Sequence, residues 1–180
     1  MKLLRRQIDE YLKTWKENKD KMPLIIKGAR QVGKTASILQ FANDNYKHVV
    51  AINFVLQQKY KAIFEDGYEV DSIIQNLTLI DPSLVFEPGN TLIFFDEMQD
   101  CPACATSLKA FKIDGRYDVI CSGSLMGINY REIESNSVGY KEDYTMHSMD
   151  FEEFLWAKGY DASFIERIYE KMASITPLSN

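Results

Sequence analysis

Residues 28–35 read Gly-Ala-Arg-Gln-Val-Gly-Lys-Thr, directly after the apolar run Pro-Leu-Ile-Ile-Lys. This is the spacing G-x-x-x-x-G-K-[ST], and its chemistry is anion binding. Glycines at positions 28 and 33 let the backbone turn tightly and bring N–H groups against phosphate oxygens. A helix opening at Lys34 would aim unsatisfied N–H groups and the positive end of its dipole at the same anion. The expected cradle is Gly28, Ala29, Arg30, Gln31, Val32, Gly33, Lys34, Thr35 and Ala36. Lys34 is expected to reach the β- and γ-phosphates of a nucleotide, and Thr35 to ligate Mg²⁺ through its hydroxyl. The alternative is a glycine-rich turn with a surface lysine, but that does not require the strand before it or the helix after it.

A second set of residues narrows the chemistry. Leu92-Ile-Phe-Phe-Asp96-Glu97 is a short apolar run ending in two carboxylates. If it is a buried strand, the pair sits at its C-terminal tip, where open α/β sheets bind ligands. Asp96 is expected to hold Mg²⁺, directly or through its waters. Glu97 is expected to orient and polarise the water that attacks the γ-phosphate. Such an adjacent pair marks P-loop ATPases with an extra central strand and a catalytic glutamate. Val119-Ile-Cys-Ser-Gly-Ser124 reads as another strand with a polar tip. Ser122 and Ser124 are both candidates for contact with the γ-phosphate or the attacking water. Alternation does not choose between them, because both lie on one face. A strand that merely ends in acidic residues, and a strand that merely runs into a loop, are the plainer readings of these two segments.

The elements that must position these groups follow from periodicity. Leu4, Ile8, Tyr11, Leu12 and Trp15 recur at helical spacing, so 3–18 reads as an amphipathic helix. Strands are expected at "PLIIK", "HVVAINFV", "TLIFFDE" and "YDVICSGS", with "DYTMHSM" a weaker fifth. Helices are expected at "KTASILQFANDN", "KYKAIFEDG", "VDSIIQNLTLI" with Asp71 as N-cap, "PACATSLKAFKIDG", "DFEEFLWAKG" and "DASFIERIYEKMASI". Asp150 with Glu153 three residues on is an Asp form of the capping box. Strands alternating with helices imply one α/β layered domain over 1–180 with a mostly parallel sheet. Its leading helix lies within 1–20 and its closing helices within 150–180.

Composition excludes several classes. The chain has 180 residues, 46% hydrophobic and 26% charged, with no run long enough for a membrane span. The N-terminus lacks the h-region of a signal peptide. Three cysteines and no secretory signal point to a reducing, cytoplasmic setting. Ten of the Lys and Arg residues and four of the acidic ones fall within 1–34, against a net charge of −5 for the whole chain. That basic start reads as a solvated helix face together with residues aimed at phosphates. Contact with nucleic acid or a protein partner is the alternative, weakened by the absence of a basic aromatic stripe. The absence of N-K-x-D favours adenine over guanine, so ATP and Mg²⁺ are the expected ligands.

The segments "PLIIKGARQVGKT", "LIFFDEMQDCP", "ICSGS" and "MHSMDFEEFLWAKG" together resemble the N-terminal ATPase domain of the prokaryotic "predicted AAA+ superfamily" ATP-binding proteins. The resemblance spans nearly the whole chain. It implies a P-loop NTPase three-layer sandwich with a parallel five-stranded sheet in the order 5-1-4-3-2. It also implies Mg²⁺-dependent ATP binding and hydrolysis, slow in isolation, with Lys34, Thr35, Asp96 and Glu97 in the roles above. Two departures stand out. Tyr140 occupies the place of an arginine found in many members, leaving Lys141 or Arg131 as substitutes. Members also continue for a further domain, so this chain is expected to be a fragment lacking it. That domain, a protein partner and a second copy of the chain are the expected macromolecular contacts.

Other readings are weaker. A nucleotide-gated interaction module with incidental hydrolysis is the main rival. A phosphotransferase lacks an arginine-rich acceptor lid. Cys101-Pro-Ala-Cys104 at a helix start is chemically open to redox work, and zinc would need Cys121, His48 and His147 to join it. The aromatic run Phe151, Phe154, Leu155 and Trp156 is expected in the core or under the missing domain, with a partner-docking helix as the alternative.

Overall fold

The computed structural model describes residues 4–124 and 139–174. Five strands form one parallel sheet: β1 Leu24–Gly28, β2 His48–Asn53, β3 Thr91–Asp96, β4 Asp118–Ser124 and β5 Glu142–Thr145. Their order across the sheet is β2-β3-β4-β1-β5, the expected 5-1-4-3-2 read from the other edge. The helices are α1 Gln7–Glu17, α2 Lys34–Asn45, α3 Val70–Ile80, α4 Ala103–Asp114, α5 Phe151–Ala157 and α6 Ala162–Ala173.

The apolar runs become central strands because both sheet faces are covered. In β3, Leu92 and Phe94 face a core shared with Ile8, Leu12, Trp15, Ile38 and Phe41 of α1 and α2. Ile93 and Phe95 face the other way, into a larger core built with α3, α4 and the 3-10 stretch Gln58–Phe64. One strand thus serves two cores, and the result is three layers. Phe95 lies at the centre of the second. Its ring is 5.6 Å from Phe54, 6.0 Å from Phe64 and 6.4 Å from Phe111.

Register brings the polar tips level. Asn53 pairs with Asp96 between β2 and β3, and Ser124 with Gly28 between β4 and β1. Every strand therefore delivers its C-terminal end to one rim of the sheet. At that rim Met146, just past β5, donates its N–H to the Lys27 carbonyl at 2.7 Å. Its own carbonyl leaves no room for a side chain at Gly28, where an added Cβ would lie 2.2 Å from it.

Four expectations are corrected in detail. α1 begins at Gln7, because Asp9 turns back to accept the Arg6 N–H at 2.8 Å and starts the helix there. The segment around Lys59–Phe64 is 3-10 rather than α. Asp71 is not the N-cap of α3. Glu69 holds that place, and Asp71 in the first turn pairs with Arg116 at 2.6 Å. In α5 only Leu155 is buried among the apolar residues, whereas Phe151 and Phe154 are 55% and 46% exposed. The capping box of α5 forms as expected, with Glu153 N–H donating to Asp150 at 2.8 Å and Asp150 N–H to Glu153 at 3.1 Å.

Phe95→Ala tests the two-core arrangement. A cavity among three aromatic neighbours should cost about 3–5 kcal/mol, read as a lower urea midpoint with an unchanged m-value. A loss under about 1 kcal/mol would mean that this core is not packed as described.

Candidate functional site

The loop between β1 and α2 turns through two left-handed residues, Gln31 at φ 65° and Gly33 at φ 100°. Gly33 is the N-cap of α2, so the helix starts at Lys34 with its first N–H groups facing the loop. The Lys34 ammonium folds back across the loop and donates to the carbonyls of Gly28 at 3.0 Å and Ala29 at 2.7 Å. Burial lowers its pKa, against the opposing pull of Glu97 and Asp96. Ala29, Arg30 and Gln31 are exposed at the crest, whereas Val32, Gly33 and Ala36 are half-buried on the flank that turns into α2.

Asp96 collects donors from four directions. Its Oδ2 accepts the Thr35 hydroxyl at 3.1 Å and the Asn53 amide at 3.0 Å. Its Oδ1 accepts the Ser122 hydroxyl in a short contact and the Glu97 N–H at 3.1 Å. Thr35 and Asp96, 61 positions apart, are therefore in direct contact. Hard oxygen donors side by side, a hydroxyl and a carboxylate, suit an octahedral cation that keeps most of its waters. Among the described residues there is no cluster of three or more His, Cys, Asp or Glu for a metal.

Glu97 behaves differently from its neighbour. The strand ends at Asp96, and Glu97 adopts the left-handed region at φ 55°, ψ 46°. This conformation is uncommon for a residue with a side chain and clusters at functional sites. The two carboxylates thus part company through a backbone turn rather than through the pleat. Glu97 Oε2 accepts the Gln99 amide, and Gln99 Oε1 accepts the Ser124 N–H at 3.2 Å. Gly123 makes room for this bridge, since a Cβ there would lie 3.0 Å from Gln99 Oε1. The two serines left open by alternation take different partners: the Ser122 side chain meets Asp96, and the Ser124 backbone meets Gln99.

Asn53, Gln99 and Arg6 do not stand out in the sequence as site residues. Asn53 carries a signal: it is a polar residue at the tip of an apolar strand, like Ser122. Gln99 and Arg6 carry none, because their partners lie on other elements.

The substitutes for the missing arginine fare differently. Lys141 pairs with Asp143 at 2.5 Å, beside β5 residues that pair with the start of β1, at the rim opposite the cradle. Arg131 lies outside the described residues. The redox and zinc readings, already the weaker ones, gain no support. Cys104 faces Cys121 at 3.7 Å rather than Cys101, and all three are buried free thiols. Burial pushes the Cys101 thiol up and the Cys104 thiol well up, the reverse of a reactive helix-start cysteine. His48 opens β2 and His147 follows β5, so they do not converge on these sulfurs.

Residues 20–155 match the family described as "AAA domain", and the chain belongs to that family. It is an AAA-type P-loop ATPase domain, and nucleotide binding goes with that class. The chain is also similar to the solved structure of C. elegans PCH-2, with a TM-score of 0.50 at 14% identity. That likeness covers 99% of this chain and 52% of the other, so this chain spans about half the length of that protein. At this identity the likeness speaks for the fold. No curated protein matches the sequence. Among the described residues, no helix is long and apolar enough to cross a membrane.

The raised thiol pKa values give a direct check. A thiol whose pKa is raised stays protonated, and so unreactive, to higher pH. In the native protein at pH 8, Cys101 and Cys104 should alkylate far more slowly than in urea, as followed by mass spectrometry of peptides. Fast native labelling of either would contradict their burial.

Proposed function

We propose that this domain binds Mg²⁺-ATP and hydrolyses it slowly to ADP and phosphate. The observation that carries the proposal is the contact of the Thr35 hydroxyl with the Asp96 carboxylate, beside the loop that opens α2. In this reading the N–H groups from Gly28 through Ala36 hold phosphate oxygens. Lys34 exchanges its two carbonyl partners for the β- and γ-phosphates. Thr35 and Asp96 would hold Mg²⁺, which would supply charge neutralisation to the phosphates. Glu97 accepts a proton from water as its oxygen attacks the γ-phosphorus. The bond to the bridging oxygen of ADP breaks with its electron pair staying on ADP. In this reading Ser122, through its bond to Asp96, and Ser124, at the end of β4, sense the γ-phosphate or the attacking water.

One observation favours a second reading, a nucleotide-gated module in which hydrolysis is incidental. The Glu97 carboxylate is engaged by Gln99, whose hydrogen bond makes Glu97 a weaker base until it is released. The macromolecular partner in either reading is a protein, a second copy of the chain or a further domain, with nucleic acid the lesser candidate. The free thiols favour a reducing cytoplasm.

Calorimetry with and without Mg²⁺, followed by phosphate release, tests the proposal. Lys34→Ala should weaken Mg-ATP binding at least about tenfold, roughly 1.4 kcal/mol, with the circular dichroism spectrum retained. Unchanged affinity in that folded variant would remove the cradle reading. Glu97→Gln keeps shape and reach but loses the charge that polarises water. It should preserve or tighten binding while cutting turnover about 10²-fold. Turnover at the parent rate would move the gated-module reading ahead.

A further inference from the structure

Two parts of the sequence have no role in the chemistry above: the basic start of the chain and the "DFEEFLW" segment. They meet at the cradle. Arg6 donates from Nη1 to the Val32 carbonyl and from Nη2 to the His147 carbonyl, each at 2.8 Å. Its Nε lies 2.9 Å from Glu153 Oε1, at ion-pair distance but without hydrogen-bond alignment. The two side chains are only 12% and 6% exposed. Glu153 is fixed in turn by the N–H groups of Gln7 at 2.8 Å and Asp150 at 3.1 Å.

An ion pair that only docked α5 onto α1 would not need to reach the loop. The reach to Val32 has a specific consequence. The Val32 carbonyl and the Gly33 N–H belong to one planar trans peptide and point in opposite directions. Holding the carbonyl therefore aims the N–H. Gly33 is also the residue at which the loop most readily changes its path, since its φ of 100° is open to glycine and strained for others. A rigid fork of donors suits this position, because a guanidinium engages two carbonyls at fixed angles while its charge faces a carboxylate, which an ammonium does not match.

We propose that Arg6, held by Glu153, is a positioning residue of the phosphate cradle that sets the Val32–Gly33 peptide plane and couples phosphate binding to the docking of α5. The proposal rests on the nucleotide reading above. Occupation of the loop by phosphate and closure of α5 onto Arg6 then favour one another, because each orders the same peptide.

Hydrogen exchange of the parent chain with and without Mg-ATP, alongside calorimetry of the parent, Arg6→Lys and Glu153→Gln, tests this. In the parent, ATP should slow amide exchange severalfold at residues 150–157, which no phosphate touches. Arg6→Lys keeps the positive charge but not the fork. It should lose that remote slowing and bind ATP about tenfold more weakly, and Glu153→Gln should follow it in part. A parent that binds ATP with exchange at 150–157 unchanged overturns the coupling, even if neither variant folds. A folded Arg6→Lys with parent affinity and parent slowing overturns the positioning role. A parent that binds no nucleotide overturns the nucleotide reading itself, and this proposal with it.

Discussion

A buried carboxylate must be satisfied from every side, and Asp96 is 6% exposed at the middle of the sheet's C-terminal rim. Leaving such a group short of donors costs more than any one of its hydrogen bonds gains. Its four donors come from α2, from the tip of β2, from β4 and from the turn after β3. None of them can reach Asp96 unless the strands stand in the order observed, with β3 flanked by β2 and β4 and the β1 loop one strand further on. The requirement to satisfy one charge thus links strand order, register and the start of α2. Loss of register by one residue would turn Asn53 and Ser122 to the opposite face and strand the carboxylate.

The same rim separates two roles that sit on adjacent residues. Asp96 is saturated by neutral donors and held in place, as a group that shares a cation with Thr35 would need to be. Glu97 is placed by a left-handed backbone and by one amide, that of Gln99. A single neutral partner is easier to exchange than four. The site therefore contains a fixed carboxylate and a releasable one. The Gln99 bridge ties the releasable one to the backbone of Ser124, at the end of β4. A small movement of that strand tip would be felt at Glu97 through Gln99 as well as at Asp96 through Ser122.

What is legible in the sequence follows from how local each signal is. The cradle, the capping box of α5 and the apolar strands are written in contiguous residues, and their identities carry through to the elements observed. The Asp96–Glu97 pair can be read because it ends an apolar run. Failures come where a distant partner decides. The start of α1 depends on Asp9 bonding back to Arg6, which the apolar periodicity of Leu4 does not reveal. The cysteine spacing suggests Cys101 with Cys104, but the sheet brings Cys121 to Cys104 instead. Lys141 resembles a replacement for an arginine until the pairing of Glu142 with Leu24 puts it at the wrong rim.

The contact that sequence reading has least chance of finding is the one on the far side of the cradle. Gly28 is required by the Met146 carbonyl lying against it, and Met146 belongs to the edge strand's exit. Val32, four residues on, is held by Arg6 from near the start of the chain. A phosphate loop of this kind can be pictured as a self-contained motif between a strand and a helix. Here its first glycine is shaped by the segment after β5, and its last turn by a guanidinium that also grips α5. α5 is thus a structural neighbour of the phosphate loop itself. Any movement of α5 would meet the cradle within the reach of one side chain.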